Sequence, residues 1–196
     1  MIDLNRKLPI GIQTFEDIRK EGYLYVDKTE LVWRMANTGK PYFLSRPRRF
    51  GKSLLLSTFE AYFEGRKELF EGLAIEKLEK EWNTYPVLHL DLNAEKYDSP
   101  KGLHAILSNH LTQWEAKYGK GDDELTLSNR FMGVIRRAAE STGKNVVVLI
   151  DEYDKPLLQA IPGYSKSLLR CTEECRPLLA FCFSDGGNKV CTSQCI

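Results

Sequence analysis

Two short segments about 100 residues apart, Gly51-Lys52-Ser53 and Asp151-Glu152, hold residue types that can act on phosphate groups. Glycine lets the backbone approach an anion closely, the lysine ammonium reaches terminal phosphates, and the serine hydroxyl is a ligand for Mg²⁺. An aspartate is a hard oxygen donor for the same cation. A glutamate beside it can orient and deprotonate a water for attack on a terminal phosphate. Each segment has a plainer reading: a turn capping a helix at Ser53, and a solvated turn after a buried strand. Their joint occurrence in one chain points to nucleotide binding.

The elements that must position these residues are legible in the apolar pattern. Pro41–Ser45, "PYFLS", has the length and composition of a strand. The run after the loop shows helical spacing through Leu55, Phe59, Tyr62 and Phe63 and stops at Gly65. "NVVVLIDE" is a strand delivering Asp151 and Glu152 at its carboxyl end, where open α/β sheets place their ligands. Between these lie a charged helical stretch from Lys67 to Trp82 and a strand with Val87, Leu88, Leu90 and Leu92. A helix started by Ser99 and Pro100 follows, then another from Leu127 to Glu140. Ahead of the loop, Thr14 caps a short helix. Asp27 with Glu30 forms a capping box for a second helix, whose apolar face is Leu31, Val32, Met35 and Ala36. Strand and helix alternate, so the expected fold is layered α/β with a mostly parallel sheet.

The loop itself is unusual. Five residues before Gly51, where a phosphate-binding loop has glycine, the chain has Arg46, followed by Pro47, Arg48, Arg49 and Phe50. Pro47, with its fixed φ, can pre-set a different turn at the same place. The forked donors of Arg48 and Arg49 suit phosphate oxygens, and they suit a solvent-facing or inter-subunit position equally well.

"LPIGIQTFEDIRKEGYLYVDKTELV", "FLSRPRRFGKSLLLSTFEAYFEG" and "VVVLIDEYDKPL" together resemble the bacterial AAA-ATPase-like family, P-loop proteins usually followed by a PD-(D/E)XK nuclease-like domain. The resemblance runs from about Leu8 to Leu158, and that family carries the same Arg-Pro-Arg-Arg-Phe-Gly-Lys-Ser loop. It implies a P-loop NTPase-like three-layer fold that binds ATP with Mg²⁺. Phosphate binding falls to Lys52, Mg²⁺ to Ser53 and Asp151, and water activation to Glu152. The implied nucleotide-binding stretch runs through Arg48, Arg49, Phe50, Gly51, Lys52, Ser53 and Leu54. Asp154 is a further candidate near the metal. Hydrolysis would serve as a switch on a protein partner or on a nuclease-like domain missing here.

This organisation divides the chain into a helical lead-in (1–40), a P-loop core (41–163) and an atypical tail (164–196). All five cysteines fall in the last 26 residues, at Cys171, Cys175, Cys182, Cys191 and Cys195. The two Cys-x3-Cys pairs have a spacing that zinc could use, but the preferred expectation is that the tail is foreign to the family pattern, as a frame-shifted or truncated reading would give. On that expectation the sheet is incomplete at its C-terminal end, lacks the strand bearing a polar sensor, and hydrolysis is impaired. The alternative to an ATPase is a degenerate nucleotide-binding or interaction module.

Composition narrows the field. Lys plus Arg number 28 against 27 Asp plus Glu, so no global field favours nucleic acid or an anionic membrane. No apolar run reaches bilayer length and the N-terminus lacks a secretory pattern, so the expected location is cytoplasmic. His89, His104 and His110 are too scattered for a metal site. The nearest nuclease-like pattern, Asp91 with Glu115 and Lys117, falls on a helix. Trp33, Trp82 and Trp114 read as packing residues.

Overall fold

The computed structural model describes residues 6–38, 42–45, 49–92, 100–152 and 178–184. Two compact units divide the chain: Met1–Lys40 with Arg48–Tyr85, and Pro41–Pro47 with Pro86–Ile196. They cut across the chain-order division, because the lead-in groups with the helix that follows the loop.

The first unit is helical, with α1 (Phe15–Lys20), α2 (Thr29–Ala36), α3 (Lys52–Phe63), a 3-10 turn (Lys67–Phe70) and α4 (Ala74–Leu78). Its core is aromatic. Phe15 packs on Phe70 with ring centroids 4.9 Å apart and on Tyr25 at 5.1 Å, and Trp82 closes over Phe70 at 5.2 Å. The Ser57 hydroxyl on α3 accepts the Phe15 N–H at 2.8 Å, which fixes the start of α1. Asp27 caps α2, but not as a box with Glu30. Its carboxylate accepts from the Thr29 N–H and hydroxyl at 2.9 and 2.7 Å and from the Ala74 N–H at 2.7 Å, joining the starts of α2 and α4. Glu30 instead pairs with Arg34 at 2.5 Å, and Leu31, expected on the apolar face, is exposed. The helix expected over Lys67–Trp82 is broken into the 3-10 turn and α4 by Gly72, whose φ of 75° interrupts helical geometry.

The second unit is a four-stranded, wholly parallel sheet in the order β1-β4-β3-β2, from β1 (Tyr42–Ser45), β2 (Val87–Asp91), β3 (Val146–Asp151) and β4 (Leu178–Ser184). Against one face lie α5 (Pro100–Tyr118) and α6 (Leu127–Thr142). Leu88 and Leu90 of β2 join Val146, Val148 and Ile150 of β3 in a core with Leu107, Leu111, Phe131 and Val134 from the helices. Val147 and Leu149, on the other face of β3, are also fully buried, so this strand reads as a continuous apolar run. The Thr126 hydroxyl accepts the Asn129 N–H at 3.1 Å and starts α6.

One expectation is corrected here. The sheet was expected to lack a strand beyond β3; instead β4, drawn from the tail, lies between β1 and β3, pairing Tyr42 with Phe181 and Val148 with Ala180. The physical reason is composition: "LLAFCFS" is six apolar residues ending in a serine, a run able to fill an interior position of a parallel sheet, whatever precedes it. The boundary placed at residue 163 lies outside the described residues. Among the described residues, no helix is long and apolar enough to cross a membrane.

Two ion pairs make the folded units sensitive to defined changes. Glu124 accepts from Arg137 at 2.5 and 2.9 Å and from the Gly121 N–H at 3.2 Å, and its carboxylate lies so close to Gly133 of α6 that a Cβ there would sit 1.7 Å from Oε1. Gly133→Ala gains about 1 kcal/mol of helix propensity but must displace the Glu124 carboxylate from Arg137. Urea unfolding should therefore show no net gain in stability; a full gain would mean that the carboxylate swings aside without loss. Glu16 accepts both Arg66 guanidinium nitrogens at 2.5 and 2.6 Å, and these bonds, with Lys20, hold its carboxyl at about 2 against an ordinary 4.5. A depressed acid stabilises the fold above its unfolded value and ceases to do so as pH falls through its folded value. The melting temperatures of wild type and Glu16→Gln should accordingly differ at pH 6 and converge between pH 4.5 and 2. A constant gap across that window would refute it.

Candidate functional site

In the first unit the loop turns into α3 through residues of alternating handedness. Arg49 has φ 66°, Gly51 has φ 75° and ψ 25°, and Phe50 between them is not in the left-handed region. Lys52 is the first residue of α3, and the Gly51 carbonyl accepts the Leu55 N–H at 3.0 Å. Left-handed residues followed by right-handed ones turn successive N–H groups toward one side, a concavity that receives anions. No acidic residue occupies the first turn of this 12-residue helix, so the turn's own side chains add no negative charge at its positive end. Lys52 is only 6% exposed, Ser53 and Leu54 are half-buried, and Phe50 is 64% exposed. Arg46, Pro47 and Arg48 lie outside the described residues, so the expectation for Arg48 is not placed.

In the second unit every strand delivers its carboxyl end to one edge. Ser45 of β1 is in register with Ser184 of β4, and Asp91 of β2 with Asp151 of β3. The Leu92 N–H donates to the Asp151 carbonyl at 3.2 Å, extending the pairing past Asp91. Asp151 is 5% exposed and Glu152 8%, so two neighbouring acids are withdrawn from water at the end of a strand. Glu152 also has φ 56°. A left-handed conformation costs a residue with a Cβ about 1–2 kcal/mol. Glu152 is thus a buried acid on a left-handed backbone.

The remaining candidates have local explanations or lie elsewhere. Glu115 accepts from Arg130 at 2.7 and 2.8 Å, a pairing of α5 with α6 that lowers its carboxyl from the ordinary value. Lys117 lies over the Tyr118 ring. His104 is exposed. His110 stacks near Trp114 with centroids 5.6 Å apart, and burial lowers its pKa. Among the described residues, no group of three His, Cys, Asp or Glu side chains could hold a metal ion. Asp154 and four of the cysteines lie outside the described residues; Cys182 is within β4. Two features escaped the sequence reading: the left-handed Arg49, which no propensity marks, and the alignment of Asp91 with Asp151. The second had a signal, since "VLHLD" ends in an acid as "VVVLID" does.

Residues 9–183 match the AAA-ATPase-like family, described as a predicted AAA-ATPase. The chain is also similar to an uncharacterised protein in the vnfD 5′ region of Azotobacter chroococcum mcd 1, at 42% identity over 154 residues. That alignment covers 78% of this chain and 30% of the relative, so the chain spans less than a third of that protein's length.

The backbone cost at Glu152 can be measured. Glu152→Ala keeps a Cβ at φ 56°, whereas Glu152→Gly removes it. The glycine variant should be more stable than the alanine variant by roughly 1 kcal/mol, the reverse of the order at an ordinary position. Equal stabilities, or the ordinary order, would show that the left-handed turn is not populated.

Proposed function

Because the chain belongs to the AAA-ATPase-like family, we propose that it binds Mg²⁺–ATP and that hydrolysis acts as a switch on a protein partner or an attached nuclease-like domain. The observation that carries this reading is the turn into α3: a left-handed Gly51, a buried Lys52 as first helical residue and a first turn without acids. Such a turn is suited to phosphate oxygens, with the Lys52 ammonium supplying the full charge that backbone groups lack. The same features support a P-loop NTPase-like fold, with the loop following β1 and the acidic pair ending β3 of a parallel sheet.

The donors fit magnesium. Ser53 offers a hydroxyl and Asp151 a carboxylate, both hard oxygens. Magnesium, when bound, neutralises charge developing on the phosphate oxygens. The reading requires the Ser53 and Asp151 segments to serve one nucleotide. Glu152, in its buried left-handed position, orients a water and takes its proton. We propose that turnover is slow relative to binding, because it also needs a polar contact to the terminal phosphate from the strand next to β3. Ser184 is the last residue of β4, the strand that pairs with β3.

The test is titration calorimetry with ATP and GTP, with and without Mg²⁺. Lys52→Ala should abolish measurable ATP binding in a folded protein, and unchanged affinity would end the reading. Turnover should be weak and lost in Glu152→Gln; robust, Glu152-dependent hydrolysis would overturn the slow-turnover proposal while leaving binding intact.

A further inference from the structure

We propose that Asp91 is a positioning residue for the magnesium ion, acting from β2 through the water shell of the ion that Asp151 holds; the inference rests on the magnesium–nucleotide reading above. Strands β2 and β3 pair in parallel with Asp91 opposite Asp151. Leu88 and Leu90 share one core with Val148 and Ile150 beneath α5 and α6. The alternating residues, Val87, His89 and Asp91, therefore face the other side with Val147, Leu149 and Asp151. The two aspartates leave the sheet on the same face, about 4.8 Å apart at the backbone.

Like charges directly opposite on neighbouring strands destabilise a sheet. Here the register is also held in place: the Leu92 N–H is bonded to the Asp151 carbonyl. Asp151 is buried and Asp91 exposed, so one acid lies deep and the other at the solvent rim of the same edge. Magnesium keeps several of its waters when bound, and a carboxylate one strand away is suited to receiving hydrogen bonds from them. Partners of this outer kind typically change metal affinity 10–100-fold.

The experiment titrates Mg²⁺ into protein with a fluorescent ATP analogue and reads the magnesium midpoint for nucleotide binding. Asp91→Asn should raise that midpoint about tenfold, leave magnesium-free analogue binding unchanged and leave the melting temperature in EDTA equal or higher. Asp91→Glu should restore part of the affinity. An unchanged midpoint overturns the inference, as does a loss of analogue binding that is equal with and without magnesium. Lys52→Ala run in parallel separates the two failures. If it abolishes analogue binding while Asp91→Asn moves nothing, only the role of Asp91 falls. If Lys52→Ala binds normally, the nucleotide reading falls and this inference with it.

Discussion

The double-sided burial of β3 is the constraint on which the second unit depends. All six of its residues are buried, and β2 and β4 flank it in parallel, so its main-chain groups are committed on both edges. A strand held in this way cannot shift register by one residue without exchanging Val148 and Ile150 for Val147 and Leu149 throughout the core. The position of Asp151 is therefore set by hydrophobic packing several residues upstream. A carboxylate delivered by such a strand meets its surroundings already desolvated and already oriented, so neither cost falls at the moment of ligand binding.

The first unit achieves a comparable rigidity by aromatic packing. Its helices are short, and short helices are marginal in isolation, so tertiary contacts must hold them. Phe15, Phe59 and Phe70 are fully buried, and the Tyr62 hydroxyl donates to Glu79 at 2.5 Å, linking α3 to the segment after α4. Arg19 adds bonds from α1 to the carbonyls of Leu69 and Glu71 at 2.7 and 2.6 Å. These contacts grip α3 along its length and leave its first turn as the end that faces the loop. The loop can then be irregular because the helix it feeds is not.

The strands and long helices were readable because each repeats one simple signal: an apolar run for β3, a Ser-Pro start for α5, 3.6-residue spacing for α3. The failures have separate causes. The capping box at Asp27 was misread because a short acidic side chain can serve two helix starts at once, and the second, at Ala74, is 47 residues away in the chain. Leu31 was assigned inward on spacing alone, although spacing fixes only relative directions around a helix and Thr29 with Val32 claims the buried side. Strand β4 was set aside because its neighbours are cysteine-rich and atypical, yet parallel pairing demands only a short apolar run of the right length. The candidate site was legible as residue types and not as geometry. No pattern of letters announces that Glu152 and Arg49 would take left-handed backbones.

Arg49 makes the case for that last point. Where φ is positive, glycine is the inexpensive choice, and the loop does use glycine at residue 51. At residue 49 it places an arginine at φ 66°, exposed and next to an exposed Phe50. Arginine there lowers stability relative to glycine by the Cβ strain alone, and an exposed side chain regains little through packing. Neither backbone fit nor burial accounts for an arginine at this position. On the nucleotide-binding proposal it would add a guanidinium fork on a left-handed turn three residues ahead of Lys52. A loop richer in glycine would supply N–H groups alone. This one accepts backbone strain and, on the nucleotide-binding proposal, would gain a second cation for the anion, placing more of the recognition in side-chain charge and less in the polypeptide turn.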